Sequence, residues 1–288
     1  MLIDSPKVRG FLCGVGAALC WALGFVAARH GILAGLSPLV ISLHRFVWAG
    51  LAFLPLVFAA GIGDVGGVAW PRAIMLTVFG GLPLALLSYA GYLFVPLGHG
   101  GVIQPACAAL GGLVLARFVV GEILPARRIA GTGLIVIGLS VIGLEALRTI
   151  GPHGFGGDLM FVGAGSFFAV FGVLVRLWRL DATRAATATS VLSLAGLPLL
   201  AFCYENLLAA GFAENALQAV VQGVFSGAGA IYLFTRAVAL LGASRAVLFP
   251  SLVPPFTLLI GYLTLGEVPS VSQLVGLALV VAGFQLTQ

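Results

Sequence analysis

Apolar residues run along this chain in blocks of similar length, broken by short polar turns. The blocks lie near 10–30, 37–60, 74–95, 100–119, 129–147, 158–178, 185–204, 216–236, 244–265 and 270–287. Each is close to the roughly 20 residues that an α-helix needs to cross the hydrocarbon of a bilayer. The breaks carry polar and helix-stopping residues: Asp64 and Pro71 within 61–73, Pro96-Leu97-Gly98-His99, Glu122 to Arg128 around Pro125, and a central break at 148–157. The pattern predicts an all-α integral membrane protein of ten transmembrane helices.

Composition agrees. Apolar residues make up 61% of the chain, charged residues 8%, and the mean hydropathy is +1.17. An ordinary soluble domain carries roughly 25% charged residues. The 14 Lys and Arg exceed the 9 Asp and Glu, but they are scattered between apolar blocks, which argues against a nucleic-acid partner. Cys13, Cys20, Cys107 and Cys203 sit inside apolar blocks with neither paired spacing nor a His cluster, so they read as buried thiols. No metal site and no cofactor are expected. Lys7 and Arg9 precede an apolar run as in a signal peptide, but that run lacks a small-residue cleavage site and reads as a first span. Within it Gly10, Gly14, Ala18 and Ala22 recur at every fourth position, a stripe that lets another helix come close.

The chain repeats itself. Pro105/Pro250, Gly121/Gly266, Glu122/Glu267, Gly131/Gly276 and Gly138/Gly283 are all 145 positions apart. The first block of each half matches at 147, through Gly16/Gly163, Ala17/Ala164, Trp21/Phe168, Ala22/Ala169 and Arg29/Arg176. Residues 1–148 and 149–288 therefore read as two five-helix copies. The second blocks match poorly, and His44-Arg45 has no counterpart. With ten spans, eleven Lys and Arg fall on the face shared by both termini and three (Arg29, Arg45, Arg148) on the other. The positive-inside bias places both termini in the cytoplasm. An odd number of spans per copy makes the two repeats inverted, with Glu122 at the cytoplasmic face and Glu267 at the outer one. Inverted repeats are the architecture of alternating-access carriers.

Ala17-Ala18-Leu19-Cys20-Trp21-Ala22, the closing segment Pro254 … Gly266-Glu267 … Gly276 … Ala282-Gly283, and its partner around Gly121-Glu122 resemble the EamA-type carriers of the drug/metabolite transporter superfamily. The resemblance covers nearly the whole chain and is closest to bacterial exporters of aromatic amino acids (the YddG type). It implies ten helices in two inverted repeats in the bacterial inner membrane, with a small-molecule substrate bound centrally. It leaves the oligomeric state open, with a monomer admissible.

Three kinds of residue are candidates for the work. Pro254 and Pro255 lie about eleven residues into their block, roughly 16 Å at 1.5 Å per residue. With Pro250, and Pro105 beside Gln104 in the first copy, they read either as helix breaks lining a cavity or as kinks. Trp21, Tyr89, Tyr92, Phe168, Tyr232 and Phe249 fall in blocks that the resemblance places around the cavity; the other reading is core or lipid-facing packing. Among the charges, Arg45 meets either a substrate carboxylate or a structural partner. Arg29 with Glu267, and Arg176 with Glu122, are expected to form ion pairs that gate or brace opposite mouths.

None of the nine acidic residues falls in the middle of a block, which favours facilitated diffusion over carboxylate-based coupling. His44 is left as a proton site or a hydrogen-bonded residue. The rival classes are a cationic-drug exporter of the same superfamily, a channel, a scaffold and an intramembrane enzyme. For the last, no HExxH, GxSxG or dense His/Asp group is present.

Overall fold

A computed structural model describes residues 5–60, 63–119, 125–241, 246 and 249–287, and every regular element among them is helical. In chain order these are α1 (Pro6–Leu33), α2 (Pro38–Ala60), α3 (Trp70–Gly80), α4 (Leu82–Gly91), α5 (Leu97–Val119), α6 (Ala126–Thr149), α7 (Pro152–Leu177) and α8 (Ala182–Ser193). They continue with α9 (Tyr204–Ala209), α10 (Gly211–Gln218), α11 (Ala230–Leu241), α12 (Val253–Leu265) and α13 (Val271–Thr287). A 3-10 stretch, Leu194–Phe202, prolongs α8, a π-helical stretch, Ala219–Gly229, joins α10 to α11, and a 3-10 turn, Phe249–Leu252, precedes α12.

Among the described residues, eight helical stretches are long and apolar enough to cross a membrane, and two shorter apolar stretches, Phe249–Leu265 and Val271–Leu286, follow them. The chain is a multi-pass membrane protein. Some boundaries move from those expected. The third block is two helices, α3 and α4, meeting at Gly81, whose φ of −100° and ψ of −144° end the first. The sixth begins at Pro152 rather than 158, because the central break is shorter than its Gly and Pro content suggests.

The prolines also behave differently from expectation. Pro254 and Pro255 occupy the first turn of α12, where backbone N–H groups have no partner within the helix and a proline removes nothing. They start a helix instead of kinking one from within, and Pro250 lies in the 3-10 turn ahead of it. Pro105, their counterpart, lies inside α5, which runs through it from Leu97 to Val119. The helix-break reading is thus corrected at Pro105: the two copies treat the repeated proline unequally.

Packing follows the repeated glycines. A Cβ on Gly138 would stand 2.7 Å from the Gly276 carbonyl oxygen, and one on Gly283 would stand 2.6 Å from that of Gly131. These contacts make α6 and α13 antiparallel, backbone against backbone. Gly131 and Gly276 are repeat mates, as are Gly138 and Gly283, so exchanging the copies maps each contact onto the other. That self-complementarity is the property of a two-fold interface. The α5–α7 and α1–α12 contacts echo each other too. Gly165 lies under the Gln104 carbonyl and Ala108, while Ala18, its mate at 147, packs with Val253, the mate of Ala108 at 145.

Candidate functional site

Polar contacts gather at the end of the bundle where α1 finishes and α5 and α7 begin. Gly266 ends α12 in the left-handed region at φ +67°, which a residue with a Cβ adopts only at a cost. The turn carries Glu267 back over two neighbours. Glu267 Oε1 accepts from Arg29 Nε at 2.7 Å, and Oε2 accepts from the Leu97 N–H at 2.7 Å, at the first residue of α5. The carboxylate therefore sits at a helix N-terminus, where the dipole favours negative charge. Arg29 Nη1 also donates to the Tyr92 carbonyl at 2.7 Å. One ion pair ties α1, the α4–α5 link, α5 and α12 together, and its side chains are only 16% and 22% exposed. Of the two expected pairs, the structure brings Arg29 and Glu267 together; Glu122 lies outside the described residues, so the pair with Arg176 has no geometry here.

A second layer runs along α10 and the π-helical stretch. Glu214, Gln218, Gln222 and Ser226 recur at every fourth position and face α1 and α2. Gln218 Nε2 donates to the Ala27 carbonyl at 2.7 Å and to Glu214 Oε1 at 2.8 Å, and Gln222 Nε2 donates to the Gly24 carbonyl at 2.8 Å. Glu214 also meets His30 at 3.2 Å. Gly24 has room for nothing larger, since a Cβ there would stand 2.2 Å from Ser226 Oγ. Arg45 Nη1 donates to Ser226 Oγ at 2.7 Å, so this intramembrane cation has a hydroxyl partner on the neighbouring element. Tyr89 Oη donates to Gln222 Oε1 at 2.9 Å, both groups buried.

His44 is held as well. Trp48 Nε1, which can only donate, points at His44 Nδ1 at 3.1 Å, so the ring's proton is on Nε2 and goes to Asn215 Oδ1 at 2.9 Å. Asn215 spends its amide hydrogens on the Leu207 and Gly211 carbonyls, both at 2.7 Å. His44 is a hydrogen-bonded tautomer in a closed chain of donors.

A third group joins α5 to α7. His99 Nδ1 and Asp158 Oδ1 are 2.9 Å apart, with side chains 2% and 5% exposed. Asp158 is the seventh residue of α7, about 9 Å along it at 1.5 Å per residue. Placing the start of that helix at 158 had set this carboxylate at a membrane edge; it is in fact buried between helices. A cavity of about 230 Å³ nearby is lined by His99, Glu145, Glu267 and Gln273 among others.

The aromatic candidates divide. Trp21 packs with Phe234, ring centroids 5.5 Å apart, beside Ala18, Ala22 and Val253. Tyr89 and Tyr92 are buried, Tyr92 against Phe161 at 4.9 Å, and Gln104 accepts from Ser88 Oγ. Phe249 is buried in the notch that Gly14 leaves in α1, edge-on to Phe11. Phe168, stacked on Phe171, and Tyr232 are 49% and 64% exposed and join none of these groups. Sequence reasoning missed Gln218, Gln222 and Ser226, although a four-residue polar spacing inside an apolar block was there to read. It also missed His99–Asp158, which no local spacing signals, as 59 residues separate the two.

Comparison with known proteins adds the following. The model of the EamA-like transporter family matches residues 8–144 and again 155–287. A protein of Streptantibioticus cattleyicolor described as "Probable terminal-alkyne amino-acid exporter" is 31% identical over 276 residues, covering 92% of this chain and 89% of the relative. A solved crystal structure at 21% identity superposes with a TM-score of 0.63 over 98% of this chain and 97% of its own, a likeness of fold alone.

Proposed function

This chain belongs to the EamA-like transporter family, and is a transporter rather than an enzyme; from that premise we propose that it exports small metabolites, foremost aromatic and other apolar amino acids, by alternating access between two inverted five-helix repeats. The halves 1–148 and 149–288 are the repeats, both termini lie in the cytoplasm, and the membrane is the bacterial inner membrane. The self-complementary contact of α6 with α13 supports the inversion, and the distribution of basic residues supports the orientation.

The observation that carries the mechanism is the Arg29–Glu267 pair. It joins a helix of the first half to one of the second at a single end of the bundle, and holds the start of α5 in the same grip. In the proposed orientation this is the outer mouth, closed. Export requires it to part, and by repeat symmetry Arg176 and Glu122 close the opposite mouth in turn. An apolar amino acid suits the interior because Trp21, Tyr89 and Phe249 offer area for burial and stacking, while Gln104 and the Arg45 hydroxyl network supply polar partners. The relative's description as an amino-acid exporter supports the same substrate class.

Counterflow tests the proposal. Purified protein in liposomes loaded with unlabelled phenylalanine is given labelled phenylalanine outside, with no ion gradient. Accumulation above protein-free vesicles, lost on Trp21→Ala in protein that still elutes as a folded species, is the expected result. An absence of exchange by folded wild-type protein excludes phenylalanine, and a cationic dye is the next substrate to load.

A further inference from the structure

The His99–Asp158 pair is not absorbed by the amino-acid site or by the outer closure. Both residues are buried, and they bridge α5 and α7. Among the described residues Asp158 Oδ2 has no hydrogen-bond partner, nor has the buried Glu145 Oε2 on α6. A carboxylate oxygen buried without a donor is costly, unless the site exists to take up a positive charge. Two open spaces adjoin the pair, the second lined almost wholly by apolar side chains. His99 and Glu145 line the cavity of about 230 Å³ that reaches Glu267 and Val268, and Asp158 lines a separate groove of about 430 Å³ between α5, α6 and α7.

We propose that His99 and Asp158, with Glu145 beside them, form a proton-binding site that couples export to proton entry. The inference rests on the transporter reading above. Empty, the pair is a neutral imidazole and a carboxylate, with a net charge of −1. In that state the His99 Nδ1–H already donates to Asp158 Oδ1 across the 2.9 Å contact; loading adds a second proton, on His99 Nε2 or on the unpartnered Asp158 Oδ2, and the pair is neutral overall. The proton comes from water at one mouth and returns to water at the other, one for each neutral zwitterion carried the opposite way.

The charged and titratable groups facing the pair are Glu145 from α6, Tyr92 from the end of α4, and Glu267 from the α12–α13 link, held by Arg29 of α1. The Tyr92 hydroxyl lies against Gly100, one residue from His99. His99 is also two residues beyond Leu97, whose N–H Glu267 accepts. Loading therefore changes the charge of the α5–α7 tie immediately beside the closure that must open. A sodium ion would have the same charge, but no group of three or more His, Cys, Asp or Glu able to hold a metal ion occurs among the described residues.

The test uses the phenylalanine-loaded liposomes with a pH dye inside. Counterflow at equal pH reports the carrier reading; a gradient of about two pH units, worth roughly a hundredfold for one exchanged proton, reports this one. The expectation is concentrative phenylalanine movement of at least about fivefold driven by the gradient, no effect of a sodium gradient, and loss of the gradient response in Asp158→Asn with counterflow retained. Wild-type counterflow indifferent to the pH gradient, a response to sodium instead, or an Asp158→Asn variant still driven by pH would overturn it. Where Asp158→Asn does not fold, His99→Gln takes its place. Should phenylalanine not exchange at all, NMR of ring-labelled histidine in detergent decides. The resonance lost in His99→Gln moves with pH in the wild type if the pair takes up a proton, and a resonance that stays flat overturns the proposal.

Discussion

Glu267 accepts a guanidinium N–H from one side and a helix-terminal N–H from the other, so its charge serves two elements at once. Glu267→Gln keeps the shape and removes the charge, leaving Arg29 partly buried with only the Tyr92 carbonyl and an amide. Charge-assisted bonds in such settings contribute about 1.5–3 kcal/mol each. Glu267→Gln is therefore expected to destabilise the detergent-solubilised protein by about 2 kcal/mol, and Arg29→Gln with Glu267→Gln by less than the two singles added. Chemical unfolding of the three variants measures this, and strict additivity would show that the pair is not coupled. A second buried bond makes a parallel case: Tyr89→Phe leaves Gln222 Oε1 short of its donor and should cost about 1–3 kcal/mol. The Arg29–Glu267 partnership was legible from repeat spacing and the charge bias. The Tyr89–Gln222 bond was not, because 133 residues separate its ends and nothing local to either names the other.

At the scale of the element, two glycines of α6 behave oppositely. Gly138 presses on the Gly276 backbone, whereas a Cβ on Gly133 would meet nothing within 4 Å. Gly138→Ala should force two backbones apart and cost about 1–3 kcal/mol. Gly133→Ala should be neutral, or stabilising by up to about 1 kcal/mol from the lower flexibility of the unfolded chain. Thermal unfolding of both variants in one detergent makes the comparison; equal losses would mean that helix propensity, not contact, governs this face. The 145-residue spacing marked Gly138 as repeated and Gly133 as unrepeated, so the repeat carried packing information that composition could not. The prolines show the limit of such reading. Pro105 and Pro250 share a register, yet one lies within a continuous helix and the other in a 3-10 turn ahead of a new one. The flanking residues differ, since only the second copy continues into Pro254-Pro255, and these two set a helix start that overrides the shared position.

For the whole molecule, the polar ties crowd one end. Arg29–Glu267, His99–Asp158, His30–Glu214 and the Asn206 contacts to Ser37 and Gly35 all join the elements that meet there. At the other end Arg127 meets the Gln285 carbonyl at 3.2 Å, Arg184 meets Asp181 at 3.2 Å and Arg72 lies over Trp178 at 5.5 Å. The all-helical, multi-pass architecture was readable because the bilayer imposes length and polarity on each span independently. Which end the polar ties hold together was not readable, because that depends on the sum of contacts between spans. If the tied end is a gate, transport requires it to open in every cycle. Arg29→Cys with Glu267→Cys, in a background whose four native cysteines are replaced, brings two thiols to that end. A short reducible bifunctional reagent should then bring counterflow down to the protein-free level, and reduction should restore it. The same reagent should leave either single-cysteine variant active. Exchange persisting in fully cross-linked protein would mean that the Arg29–Glu267 closure is a permanent brace, and that the substrate passes without parting α1 from α12.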